Sequence, residues 1–141
     1  KLFLRRFVAQ DRGYLLNVAS TAAFQSGPLM ASYYASKGDV LQLTEAITKE
    51  LEAKGSSVVV SALCPGPVDT GFQQRAKIKV AKSAMKVPTA HEVAKYAYYE
   101  WMKGKTLIIP GYSNRVLLFL NRLIPRKLGC QIVYQTQLKK K

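Results

Sequence analysis

Ser20, Tyr33 and Lys37 lie in the run Gly13-Tyr-Leu-Leu-Asn-Val-Ala-Ser20 … Tyr33-Tyr-Ala-Ser-Lys37. A hydroxyl, a phenol and an ammonium form a set that can carry a proton to or from an alcohol oxygen. Tyr33 and Lys37, four residues apart, share one face of a helix. A free tyrosine titrates near pH ~10, too high to act as a base at neutral pH. A fixed cation within ~4–6 Å favours the phenolate and draws that value down by ~1–3 units. The phenol then approaches the range in which general acid–base catalysis works. Ser20 adds a neutral donor where negative charge would develop on a reacting oxygen.

Tyr-x-x-x-Lys alone carries little weight. With eight tyrosines in a lysine-rich chain, composition yields roughly one such pair by chance. A second does occur, Tyr99 with Lys103, but thirteen residues before Tyr99 stands Lys86 and not a serine. Thirteen residues before Tyr33 stands Ser20, closing a short apolar run. About thirty residues after Tyr33, the apolar run Val58 to Leu63 empties into Cys64-Pro65-Gly66-Pro67-Val68-Asp69-Thr70. The ordinary alternative is a helix-surface Tyr–Lys pair beside a capping serine. Three independent features in order weigh against it.

Those residues need elements to hold them. Residues 1–10 read as the end of a helix and Asp11-Arg12-Gly13 as a turn. Tyr14 to Val18 reads as a buried parallel strand. Ser32 to Lys54 is the longest helical pattern, with Val40, Leu43, Ile47 and Leu51 as its expected apolar stripe. Glu45–Lys49 and Glu50–Lys54 are favourable i,i+4 pairs, and Gly55 stops the helix. Val58 to Leu63 is a second strand, Thr89 with Glu92 a capping box opening a helix to Met102, and Thr106 to Ile109 a third strand. Strands alternating with helices specify an α/β layer with a parallel sheet.

The stretch from Gly13 to Phe72 resembles the short-chain dehydrogenase/reductase family, and the remainder fits the C-terminal part of that fold. The resemblance implies a Rossmann-like, doubly wound parallel sheet, with residues 1–141 as the C-terminal part of one domain. It implies that Ser20 hydrogen-bonds the substrate oxygen and that Tyr33 is the general acid or base. It implies that Lys37 holds the nicotinamide ribose and tunes Tyr33. Pro65, Gly66, Val68 and Thr70 fall on the family's nicotinamide clamp, with the Val68 backbone and the Thr70 hydroxyl toward the carboxamide. The implied cofactor is NAD or NADP, and the implied substrate a carbonyl or secondary alcohol, lipid-like ones included. A homo-oligomer is the family expectation, and the two cysteines make a reducing compartment, the cytoplasm, the expected location. The rival expectation is an inert piece serving as an oligomerisation or membrane-surface docking module.

No Gly-rich turn of the form G-x-G-x-x-G or T-G-x-x-x-G-x-G occurs in the chain, and that turn is what admits a pyrophosphate to a helix N-terminus. The expectation is therefore a C-terminal portion of a longer enzyme. Its Ser20 strand would lack an upstream partner, leaving an apolar edge prone to aggregation, so the piece is not expected to fold stably by itself.

The net charge of +14 invites a nucleic-acid reading. The basic residues are scattered, and no zinc finger, helix-turn-helix or RNA-binding motif organises them, so no nucleic-acid partner is expected. Two cysteines, Cys64 and Cys130, are too few for a disulfide framework. Cys64 reads as a buried spacer, His91 as a solvated residue in a helix's first turn, and no metal-ligand spacing exists. Between Asp69 and Glu92 lie Arg75, Lys77, Lys79, Lys82 and Lys86 without an acid; this is a solvated loop or a basic lid attracting anionic substrates. The tail from Ser113 to Lys141 is apolar on more than one face and too short and charged to span a bilayer. A substrate-pocket wall or subunit contact is expected there, with peripheral membrane contact as the alternative.

Overall fold

The computed structural model describes residues 2–71 and 87–139. The first helix, α1 (Leu2–Ala9), lays Leu4 and Phe7 against Leu51, Val58 and Val60. It ends in a turn that Asp11 fixes. The Asp11 carboxylate accepts from the Ser56 hydroxyl at 2.7 Å and the Ser57 N–H at 2.8 Å. Those two bonds hold its carboxyl below the usual carboxylate range and bring the starts of two strands together.

The strands are β1 (Tyr14–Val18), β2 (Val59–Leu63) and β3 (Leu107–Ile108), in the order β1-β2-β3 and parallel throughout. β1 pairs with β2 from Tyr14↔Val59 to Val18↔Leu63. Parallel neighbours require crossovers, and helices appear in both connections: α2 (Ala31–Ala53) between β1 and β2, α3 (Ala90–Met102) between β2 and β3. Alternation along the strands sends side chains to opposite faces. Leu15, Val60 and Ala62 meet α1 and α2, while Leu16, Leu63 and Ile108 meet Tyr96, Ala97 and Trp101 of α3. Helices on both faces make this the α/β layer with a parallel sheet that the alternating pattern implied, in the doubly wound form that the resemblance implied.

The stripe of α2 differs from the sequence expectation. Leu43 is 54% exposed, whereas Leu41, Thr44 and Leu51 are buried. Thr44 is tolerated inside because its hydroxyl donates to Val40 O at 2.7 Å and accepts from Asn17 Nδ2 at 2.9 Å. A satisfied threonine took the place that the apolar pattern assigned to Leu43. On the outer surface Lys49 pairs with Glu52 at 3.2 Å, not with Glu45.

The capping box of α3 forms as expected: Glu92 N–H donates to Thr89 Oγ1 at 3.2 Å and Thr89 N–H to Glu92 Oε2 at 2.8 Å. Near the other end, buried Glu100 pairs with Lys105 and, at 3.2 Å, with Lys103. These partners, Lys105 foremost, hold its carboxyl below the usual range. A depressed folded value means the stabilisation is present above the unfolded carboxylate pKa and is lost as pH falls through the folded one. Melting temperatures of Glu100→Gln should therefore trail the parent's at neutral pH and converge with them in acid.

After β3 the chain turns at Pro110-Gly111 into α4 (Tyr112–Asn121), and α5 (Arg126–Leu138) follows Pro125. Both helices are tied back by polar side chains. Asn121 Nδ2 donates to Phe24 O at 3.3 Å and Gln137 Nε2 to the Tyr34 hydroxyl at 3.0 Å. Among the described residues no helix is long and apolar enough to cross a membrane, and no group of His, Cys, Asp and Glu could hold a metal ion. The residues of the expected basic lid, Arg75, Lys77, Lys79, Lys82 and Lys86, lie outside the described residues.

Candidate active site

Parallel pairing brings the C-terminal ends of β1 and β2 out together, and open α/β sheets bind ligands outside such carboxyl ends. The pairing continues past the strands: Ala19 N–H donates to Leu63 O at 2.8 Å and Thr21 N–H to Pro65 O at 2.9 Å. Ser20 is thus fixed beside Pro65, its hydroxyl 3.4 Å from Pro65 O and accepting from Ala22 N–H at 3.1 Å. It caps the 3₁₀ turn Thr21–Phe24, which leads toward α2.

Lys37 reaches the same place from α2. Its ammonium donates to Val18 O at 3.0 Å and lies 5.9 Å from the centre of the Tyr33 ring, one helical turn back. Ser20 and Lys37 are therefore both tied to the end of β1, and Tyr33 stands over the ammonium. Tyr33 and Lys37 are half-buried. The Tyr33 ring also meets Tyr34 edge-on at 5.9 Å. Val68 is half-buried and Thr70 exposed, on a segment secured where Asp69 N–H donates to Pro88 O at 2.9 Å.

The second Tyr-x-x-x-Lys pair shows what the motif does without that setting. Lys103 sits 3.9 Å above the Tyr99 ring on the outer face of α3, with Tyr99 63% exposed. It is a surface cation–π contact, and the serine-bearing strand end is what distinguishes Tyr33 and Lys37.

Sequence reading did not reach Asn114. Its amide donates to Pro110 O at 2.7 Å and fills the space over Gly66, where an added Cβ would lie 2.7 Å from Asn114 Nδ2 and 2.8 Å from Oδ1. Asn114 joins the turns after β2 and β3. The available signal was weak: an amide four residues after a strand-ending proline can bond its carbonyl. Gly66→Ala should overpack this contact at ~1–3 kcal/mol and raise the cofactor KM by about tenfold. Adding Asn114→Ala should restore most of it, and failure of the second change to compensate would show that the contact is not the cause.

Cys64 is wholly buried, and burial pushes its thiol up to about 11. Thiolate is the reactive form, so Cys64 is a spacer as expected. In the folded protein at neutral pH, an alkylating reagent should modify half-buried Cys130 and spare Cys64 until denaturant is added.

A family model described as short chain dehydrogenase matches residues 1–81. The chain belongs to that family. A 7beta-hydroxysteroid dehydrogenase of Collinsella aerofaciens is 41% identical over 113 residues, covering 80% of this chain and 43% of the relative. A solved 7beta-hydroxysteroid dehydrogenase superposes with a TM-score of 0.76 at 25% identity, over 94% of this chain and 50% of its own. A short-chain dehydrogenase from Sphingobium yanoikuyae in complex with NADPH superposes at 0.65 with 26% identity, over 77% of this chain and 41% of its own. The chain spans less than half the length of the curated relatives it matches.

Proposed function

We propose that residues 1–141 form the catalytic, C-terminal part of an NAD- or NADP-dependent oxidoreductase interconverting a carbonyl compound and an alcohol. The observation that carries this reading is the Lys37 ammonium, bonded to Val18 O and 5.9 Å from the centre of the Tyr33 ring, with Ser20 bonded to the adjacent Pro-Gly loop. The donor set suits a nicotinamide nucleotide. Lys37 spends one N–H on Val18 and has others for ribose hydroxyls, while Pro65, Gly66, Val68 and Thr70 would hold the ring amide. When bound, that cofactor supplies or accepts the hydride at the substrate carbon.

Every proton step falls to the chain. In the reducing direction Tyr33 gives its phenolic proton to the substrate oxygen and Lys37 stabilises the phenolate left behind. In the oxidising direction the same phenolate removes the alcohol proton. Ser20 donates to the oxygen as its charge grows, at the C-terminal end of β1 where it caps the 3₁₀ turn.

The test is absorbance of the reduced nicotinamide with the protein carrying its nucleotide-binding half, against a panel of ketones and aldehydes with each cofactor. Turnover of some carbonyl with NADH or NADPH is the expected result. A folded protein that binds neither cofactor and turns over nothing would remove the proposal.

A further inference from the structure

The tail helices carry large apolar side chains on their outward faces as well as inward ones such as Val133. On α4 the half-buried positions include Asn114 and Asn121, each donating to a backbone carbonyl, while Leu117, Phe119 and Leu120 are 60%, 63% and 47% exposed. Leu123, just beyond, is 70% exposed. On α5 Val133 and Gln137 are buried, Gln137 bonded to the Tyr34 hydroxyl, and Leu128 and Ile132 face outward at 50% and 47% exposure. The inward hydrogen bonds fix the rotation of both helices, so this apolar exposure is a consequence of specific anchoring. An apolar surface of this kind marks a contact with something apolar.

Charge selects what that is. No aspartate or glutamate follows Glu100 in the sequence, and seven of residues 112–141 are lysine or arginine. Arg122, Arg126, Lys127 and Lys139 are exposed beside the apolar positions. A protein partner buried on this face would have to strip water from several unpaired cations. An anionic lipid surface takes the leucines and phenylalanine into its interfacial layer and leaves the cations among headgroup phosphates. Neither helix is long enough to span, so the contact lies in the plane of the membrane.

We propose that the outward faces of α4 and α5 dock this protein on anionic bilayers. The inference is independent of the catalytic reading. It is tested by sedimentation of the full-length protein with vesicles of phosphatidylcholine alone and of phosphatidylcholine mixed with phosphatidylglycerol. The expected result is pelleting with the mixed vesicles, weak pelleting with the neutral ones, and partial release as salt rises. The variants Phe119→Ser/Leu123→Ser and Arg122→Gln/Arg126→Gln/Lys127→Gln should each lose about tenfold or more in affinity, with circular dichroism unchanged. Three results would overturn the proposal: a parent protein that stays in the supernatant with both vesicles, equal binding to both, or variants that bind as the parent does. If Phe119→Ser/Leu123→Ser instead reduces the particle mass in solution without changing sedimentation, the face is a contact between copies and the lipid assignment fails.

Discussion

Tyr33→Phe is expected to lower kcat by ~10²–10⁴-fold, the contribution of a positioned proton donor, with cofactor affinity nearly unchanged. The substitution removes one oxygen and keeps the ring. The edge-on contact with Tyr34 at 5.9 Å and the approach of Lys37 at 5.9 Å both involve that ring, so the local packing survives. Lys37 keeps its bond to Val18 O and can still meet a ribose. A loss confined to kcat, with KM for the cofactor steady, is the signature of an interaction made in the transition state alone. Turnover within a few-fold of the parent would show that the phenol is not the proton donor. Lys103→Ala is the matched control, because it removes the cation of the other Tyr-x-x-x-Lys pair, and activity should not follow it.

What the sequence disclosed follows the range of the interactions involved. β1, α2, β2 and the α3 capping box are written in local periodicity and cap chemistry, and all four formed within a residue or two of the expected bounds. The inward face of α2 was misjudged because periodicity counts apolar letters. Thr44 is buried through two hydrogen bonds, one to Asn17 on another element, and no helical wheel contains that partner. The same blindness hid the tail. The apolar run was expected to form a wall or subunit contact, or a peripheral membrane contact, but its anchoring by Asn121 and Gln137, bonded to residues 97 and 103 positions away, was not foreseen. Asn114 was invisible for the same reason, since its value lies in packing over Gly66. The grouping of Ser20, Tyr33, Lys37 and the Pro-Gly loop was legible only as an ordered set tied to strand ends. The register Val18↔Leu63 converts that order into proximity.

Ser20 presents the sharper division between a structural and a chemical role, because it occupies the capping position that the ordinary alternative assigned to it. Its oxygen accepts from Ala22 N–H at 3.1 Å, and its proton points to Pro65 O across a long 3.4 Å. Accepting in the cap leaves the O–H available, and a bond this long is readily exchanged for one to a substrate oxygen. Magnitudes separate the two roles. Loss of an N-cap costs ~0.5–2 kcal/mol of stability and lowers the melting temperature by a few degrees without touching the chemical step. Loss of a donor to a developing oxyanion costs ~10²–10³ in kcat. Ser20→Ala should therefore show both effects, and Ser20→Thr, which keeps an oxygen and a proton, should recover most of each. Ser20→Asp distinguishes them further: it caps well, but a carboxylate carries no proton to donate, so stability should return while kcat stays low. A Ser20→Asp enzyme as active as the parent would reduce Ser20 to a helix cap and leave the oxygen to be held by some other donor.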